Sequence, residues 1–181
     1  MPKNLFITGH IRTGKSTLLK SMIDPIKTIT GGFFVQRLFI QDETRAFRLV
    51  DVSKENYIPN RHVEDIADLK DLMAVNNKEK KLYYEVFKTV GVSALEHACK
   101  EKKLILMDEL GRIETKVPEF MDAVFKALDS SIPVLGVIKK ESNFFLDKVR
   151  VHPNITVIDM DEYGLERTKE EIFNFLSKCG F

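Results

Sequence analysis

The residues Gly9-His10-Ile11-Arg12-Thr13-Gly14-Lys15-Ser16 place two glycines with four residues between them and follow the second with a lysine and a hydroxyl. This pattern is suited to gripping phosphate. Glycines allow successive backbone N–H groups to curl around phosphate oxygens, and a helix starting directly behind the loop adds the positive end of its dipole. Lys15 then reaches towards the β- and γ-phosphates of a nucleoside triphosphate, and the Ser16 hydroxyl is a ligand for Mg²⁺. The candidate nucleotide-contacting run is Gly9, His10, Ile11, Arg12, Thr13, Gly14, Lys15, Ser16 and Thr17.

Phosphate chemistry also needs an acid to hold the hydrated metal. Lys103-Leu104-Ile105-Leu106-Met107-Asp108-Glu109 supplies one where four apolar residues run into a carboxylate. In open α/β sheets ligands gather at the carboxyl ends of the strands, which is where Asp108 falls. Asp108 is therefore the candidate second holder of Mg²⁺ beside Ser16, directly or through water. Glu109 is placed to orient or deprotonate an attacking water, which makes Lys15 and Glu109 the candidate catalytic pair. Leu110 and Gly111 extend this second nucleotide-contacting segment. Arg12 and Arg112 are further cations near the two motifs; Arg112 is equally able to pair with Glu114 at the surface. The four histidines are scattered and show no metal-ligand spacing.

These motifs need elements to hold them. Lys3–Thr8 reads as a buried strand, and Lys15–Ile23 has its apolar residues at helical spacing. Pro25 ends that helix. Gly31-Gly32 reads as a turn. Phe33–Ile40 and Ala46–Val52 are β-rich and separated by the polar Gln41-Asp42-Glu43-Thr44, so they predict a hairpin. Residues 53–83 are polar, with Leu69, Leu72 and Met73 suggesting one short helix. A structureless connection of this length is uncommon in a compact domain, so the segment reads as an insertion or lid. Tyr84–Lys100 is an amphipathic helix and Leu104–Met107 a strand buried on both faces. Pro118 opens a helix with Phe120, Met121, Val124, Phe125 and Leu128 as its inner stripe. Pro133–Ile138 and Ile155–Ile158 are strands. Thr168-Lys169-Glu170-Glu171 reads as a capping box for a last helix whose core face is Ile172, Phe173, Phe175 and Leu176. Strands alternating with helices predict an α/β fold with a mostly parallel central sheet.

Composition excludes several other classes. With 181 residues, 44% hydrophobic and 30% charged, the chain is an ordinary globular one of a single domain, 1–181. A chain of this size buries roughly 70% of its unfolded surface without help from disulfides or metals. The net charge of +1 gives no clear nucleic-acid signature. No apolar run approaches the ~20 residues of a membrane span, and Leu5-Phe6-Ile7 is too short for a signal-peptide core. Cys99 and Cys179 form no Cys-x-x-Cys pair and fit free thiols in a reducing cytoplasm. The pattern specifies no protein partner.

The order of segments resembles the THEP1 family of nucleoside triphosphatases. The resemblance runs over roughly residues 3–175. It rests on the phosphate loop, Gly32-Phe33-Phe34, Arg45-Ala46-Phe47, the helix residues Phe87, Leu95 and Ala98, and Phe120. It rests also on the strand Pro133-Val134-Leu135-Gly136-Val137-Ile138. Its most specific part is Asp108-Glu109-Leu110-Gly111-Arg112-Ile113-Glu114, close to the family's Asp-Glu-Ile-Gly-Lys-Met-Glu. The resemblance implies a three-layer P-loop NTPase fold, with a β-hairpin-like segment after the first helix. It also implies Mg²⁺-dependent hydrolysis of ATP, GTP or other NTPs to NDP and phosphate. The loop here has His10, Ile11 and Arg12 where the family is richer in glycine and proline, and Val35-Gln36 where Thr and Glu are usual. Ile138-Lys139-Lys140-Glu141 lacks the Asn-Lys-x-Asp of a guanine reader, which points to broad base use. Two other readings share the motifs. One is a small-molecule or nucleotide kinase with residues 53–83 as its lid. The other is a non-catalytic nucleotide-binding adaptor.

Overall fold

The computed structural model describes residues 3–40, 43–59, 61–66, 70–76 and 80–181. In chain order the strands are β1 (Asn4–Thr8), β2 (Thr30–Ile40), β3 (Glu43–Asp51), β4 (Leu72–Asn76), β5 (Lys80–Leu82), β6 (Leu104–Leu110), β7 (Val134–Ile138) and β8 (Ile155–Asp159). The α-helices are α1 (Lys15–Ile23), α2 (Ser93–Glu101), α3 (Pro118–Asp129), α4 (Phe144–Arg150) and α5 (Met160–Lys178). All eight strands join one sheet in the order β5-β4-β3-β2-β6-β7-β1-β8. From β2 to β8 neighbouring strands are parallel, while β3, β4 and β5 are added antiparallel.

The apolar strands are explained by burial on both faces. Side chains alternate along a strand, so Leu104 and Leu106 pack with Leu5, Ile7, Leu135, Val137, Leu18, Leu19 and Ile172 on the side of α1 and α5. Ile105 and Met107 pack with Phe6, Phe33, Leu95, Phe120, Val124 and Phe145 on the side of α2, α3 and α4. Helices thus cover both sides of the sheet in three layers. The same alternation turns Asp108, the residue after Met107, towards α1.

The first helix occupies Lys15–Ile23 as its spacing predicts, and a 3₁₀ turn (Asp24–Ile29) carries the chain past Pro25. The predicted hairpin is present, with Phe33 opposite Asp51 and Leu38 opposite Ala46. Its polar tip at Gln41-Asp42 lies outside the described residues.

Several expectations are corrected. Gly31-Gly32 is part of β2 and not a turn. Gly32 has φ +96°, and a Cβ there would lie 2.1 Å from the Leu106 carbonyl oxygen, so close strand approach explains the glycine. Leu72 and Met73 lie in β4, not in a helix. Strand pairing with β3 overrides the weak helical spacing, and Leu69 lies outside the described residues. The helix predicted over Tyr84–Lys100 contains a π-helical stretch (Phe87–Val92) before α2. Thr168 does not start a helix. It is buried inside α5 and donates to the Gly164 carbonyl at 2.7 Å, the break in α5 falling at Gly164 (φ 74°). Phe173 is 61% exposed, so the core face of α5 is carried by Ile172 and Leu176, with the half-buried Phe175 packed against them. Sequence periodicity missed α4, whose seven residues are capped by the Asn143 side chain accepting from the N–H groups of Phe145 and Leu146.

The polar stretch after β3 is pinned by ions. Arg48 in β3 is buried and makes a two-pronged pair with Glu55 at 2.9 and 3.0 Å, and also reaches Asp71 at 3.0 Å. Arg61 pairs with the same Glu55. Gln36 of β2 binds the backbone of Ile58 in both directions, donating to its carbonyl at 3.0 Å and accepting from its N–H at 3.2 Å. Among the described residues no helix is long and apolar enough to cross a membrane.

Phe120 is fully buried and meets the rings of Phe33 and Phe87 at 5.4 and 5.3 Å. Truncating it leaves a cavity between α3 and the sheet. Phe120→Ala should lower unfolding stability by about 3–5 kcal/mol, read as an earlier urea midpoint with unchanged slope.

Candidate active site

β1 ends at Thr8, and the loop from Gly9 to Gly14 leads directly into α1. The loop needs unusual backbone angles, with φ of 143° at Gly9, 68° at Arg12 and 89° at Gly14. Gly14 immediately precedes Lys15, so the loop ends at the amino end of α1. Lys15 is buried and folds back over the loop. It donates to the Gly9 carbonyl at 2.9 Å, to the His10 carbonyl, and to Thr13 Oγ1 at 3.1 Å. Burial pulls its pKa down, against the opposing pull of Glu109, Asp161, Asp108 and Asp159. Those carboxylates favour the charged form of the lysine, and the loop's own oxygens hold its ammonium in place. Ile11 and Arg12 are exposed at the loop's outer bend.

The two motifs meet in one hydrogen bond. Ser16 Oγ donates to Asp108 Oδ1 at 2.7 Å, linking α1 to the end of β6 across 92 residues of sequence. Asp108 is 1% exposed. Its second oxygen, Oδ2, is buried without a hydrogen bond and lies 3.3 Å from the Lys20 ammonium. A hydroxyl and a carboxylate this close are hard oxygen donors of the kind Mg²⁺ uses. Ser16 Oγ and Asp108 Oδ1 are the two oxygens that fit that ion, while Oδ2 faces the Lys20 ammonium. Glu109 is half-buried and pairs with Lys139 at 3.2 Å, where the pairing of β6 with β7 shifts register. Leu110 is buried, and its carbonyl accepts from the Lys139 N–H at 2.9 Å. Gly111 is buried against the Lys139 side chain, which a Cβ would approach to 3.1 Å.

Sequence reasoning missed three partners. Asp161, at the start of α5, accepts from the His10 N–H at 2.9 Å and contacts the His10 ring. Lys140 holds it in place, pairing with Asp161 at 3.1 Å and Asp159 at 2.7 Å. The third is Lys20 on Asp108. None has a motif spacing; each is brought in by the parallel order of β8, β1 and β7 or by the helical turn after Ser16. Arg112 is exposed, and Glu114 is 3% exposed, so the surface pair expected between them is replaced by a carboxyl turned inward.

A phosphate-type loop at the switch between β1 and α1, joined to an acidic β6 terminus in a three-layer sheet, defines a P-loop nucleotide-binding protein. The chain belongs to the NTPase family, whose sequence model matches residues 4–173. It is 27% identical over 180 residues to nucleoside-triphosphatase THEP1 of Thermotoga maritima, covering 95% of this chain and 94% of that protein. Two solved structures share the fold. THEP1 from Aquifex aeolicus has a TM-score of 0.71 over 93% of this chain and 96% of that one, at 19% identity. A human cancer-related nucleoside triphosphatase has a TM-score of 0.72 over 97% and 98%, at 16% identity.

Glu114 leaves a mark on stability. Burial pushes its carboxyl from 4.5 up to about 7, against the pull of its own N–H, Lys139 and the Gly111 N–H. One of its oxygens, Oε2, has no hydrogen-bond partner. The folded carboxyl keeps its proton to about pH 7, whereas the unfolded chain releases it near 4.5. The folded state therefore binds the extra proton between those values, and raising the pH through that window destabilises it. The contribution is on the order of 3 kcal/mol. Urea unfolding of wild type and Glu114→Gln at about pH 5 and about pH 8 should show that loss in wild type and its absence in the variant.

Proposed function

We propose that this chain is a Mg²⁺-dependent nucleoside triphosphatase that hydrolyses NTPs to NDP and phosphate with broad base use. The observation that carries the reading is the Ser16–Asp108 hydrogen bond at 2.7 Å. It joins the phosphate loop to the acidic strand end and supplies two oxygens suited to the ion. Bound there with the nucleotide, Mg²⁺ would neutralise charge on the β- and γ-phosphates.

The chain's own residues carry the remaining roles. The backbone of Gly9–Thr17 cradles the phosphates, and Lys15 moves its ammonium from the loop carbonyls to phosphate oxygens. Ser16 and Asp108 hold the metal. The Glu109 carboxylate, positioned beside Lys139, orients the water and accepts its proton as the water oxygen bonds to the γ-phosphorus. The bond to the β–γ bridging oxygen breaks, and NDP leaves. Leu110 and Gly111 line the same strand end.

Broad base use is supported by the chemistry of Lys139 and Lys140. Both are engaged by carboxylates, and the Asn and Asp of a guanine reader are absent. The name of the Thermotoga maritima relative, nucleoside-triphosphatase, agrees with the proposed reaction. The chain acts as one domain, with the polar residues 53–83 as an insertion or lid. Two unpaired cysteines fit a reducing cytoplasm.

Phosphate release from ATP, GTP, CTP and UTP with Mg²⁺ tests the reaction. Release from all four within about 100-fold of one another is expected, and a larger preference for one base would remove the claim of breadth. Lys15→Ala should abolish release. Glu109→Gln should still bind nucleotide but turn over about 100-fold more slowly or worse, as when a general base is lost. Full activity of the glutamine variant would refute the role given to Glu109.

A further inference from the structure

Lys20 follows Ser16 by four residues on α1, so both side chains leave the same helical face and meet the same carboxylate. Ser16 engages Asp108 Oδ1, and the Lys20 ammonium stands 3.3 Å from Oδ2. The ammonium is roofed by aromatic rings, 3.3 Å from the Tyr57 ring centroid and 5.4 Å from that of Phe34. Tyr57 is in turn fixed beside β2, because the next residue, Ile58, is bonded in both directions by Gln36. Lys20 is 12% exposed and Asp108 1%.

A buried charge of one sign is tolerated only with a partner of the other. Here the carboxylate that faces the candidate metal position already has its counter-charge within the fold. The other nearby acid, Glu109, is paired with Lys139, and the nearby cation Lys15 is held by loop carbonyls. A bare divalent ion approaching Ser16 and Asp108 would meet a neutral pair and be repelled by both lysines. A triphosphate carries enough negative charge to reverse that balance.

We propose that Lys20 is a built-in counter-cation of Asp108 that keeps the metal position closed to free divalent cations, so that the ion enters only together with a triphosphate. This rests on the assignment of Ser16 and Asp108 as metal ligands. It makes Lys20 a positioning and selectivity residue and not a catalytic one, with Tyr57 holding it in place from the polar segment after β3.

The test is direct binding of Mn²⁺, without nucleotide, followed by electron paramagnetic resonance or calorimetry. Wild type and Lys20→Arg should bind weakly. Lys20→Met should bind at least about 10-fold more tightly, because removing a buried cation unmasks the carboxylate, and adding Asp108→Asn to that variant should erase the gain. Unchanged affinity in Lys20→Met would overturn the proposal. Lys20→Gln serves as a second neutral variant. If either neutral variant folds only when Mn²⁺ is supplied, the ion has replaced the missing ammonium and the proposal stands. If neither folds with or without Mn²⁺, it is overturned, since the ammonium is then needed for more than charge. Asp108→Asn alone, measured with a non-hydrolysable triphosphate, examines the ligand assignment separately. Undiminished Mn²⁺ binding there would refute that assignment, whatever the Lys20 variants show.

Discussion

A buried carboxylate cannot stand alone in a protein interior, and the arrangement around Asp108 follows from that constraint. Two parallel strands, β1 and β6, end at the same edge of the sheet with β7 between them. Alternation along β6 turns Asp108 towards α1, and the loop after β1 turns Ser16 towards Asp108. The resulting 2.7 Å hydrogen bond satisfies one oxygen of a carboxylate that is 1% exposed, and the Lys20 ammonium stands 3.3 Å from the other. The hydrogen bond also brings the phosphate-type loop against the acidic end of β6. The glycine angles of the loop and the run of apolar residues in β6 are the local means of bringing these two oxygens together.

The loop itself is held from both sides before any ligand arrives. Lys15 bonds the loop's own carbonyls, and Asp161 accepts from the His10 N–H on the outer side. Lys140 ties Asp161 to Asp159, so the junction of β8 and α5 supports the loop through a chain of charges. Lys139 does the same for Glu109 on the β6 side. Consecutive lysines after β7 thus serve the two halves of the site. Each of these side chains is thus held by a charged or polar neighbour within the fold.

Much of this was legible in the sequence because it depends on local rules. The loop's glycines, the four apolar residues before Asp108, and Pro118 at the start of α3 each act within a few residues of themselves. What was not legible depends on distant pairing. Leu72 and Met73 look helical by spacing but lie in β4 because β3 offers them a ladder. Gly32 looks like a turn but is required by the Leu106 carbonyl beside it. Asp161, Lys140 and Lys20 have no motif at all; their roles appear only when the sheet order is known. Glu114 was visible as part of an acidic signature, yet its burial and its pKa of about 7 come from the packing around it.

The account's central claim is that Ser16 and Asp108 together hold the metal that activates the triphosphate. The most direct measurement is a metal switch at Ser16→Cys. A thiolate is a poor ligand for Mg²⁺ and a good one for softer ions. The account predicts that phosphate release by the variant collapses with Mg²⁺ and is restored in substantial part by Cd²⁺ or Mn²⁺. Undiminished release with Mg²⁺, or an equal loss with every metal, would contradict it.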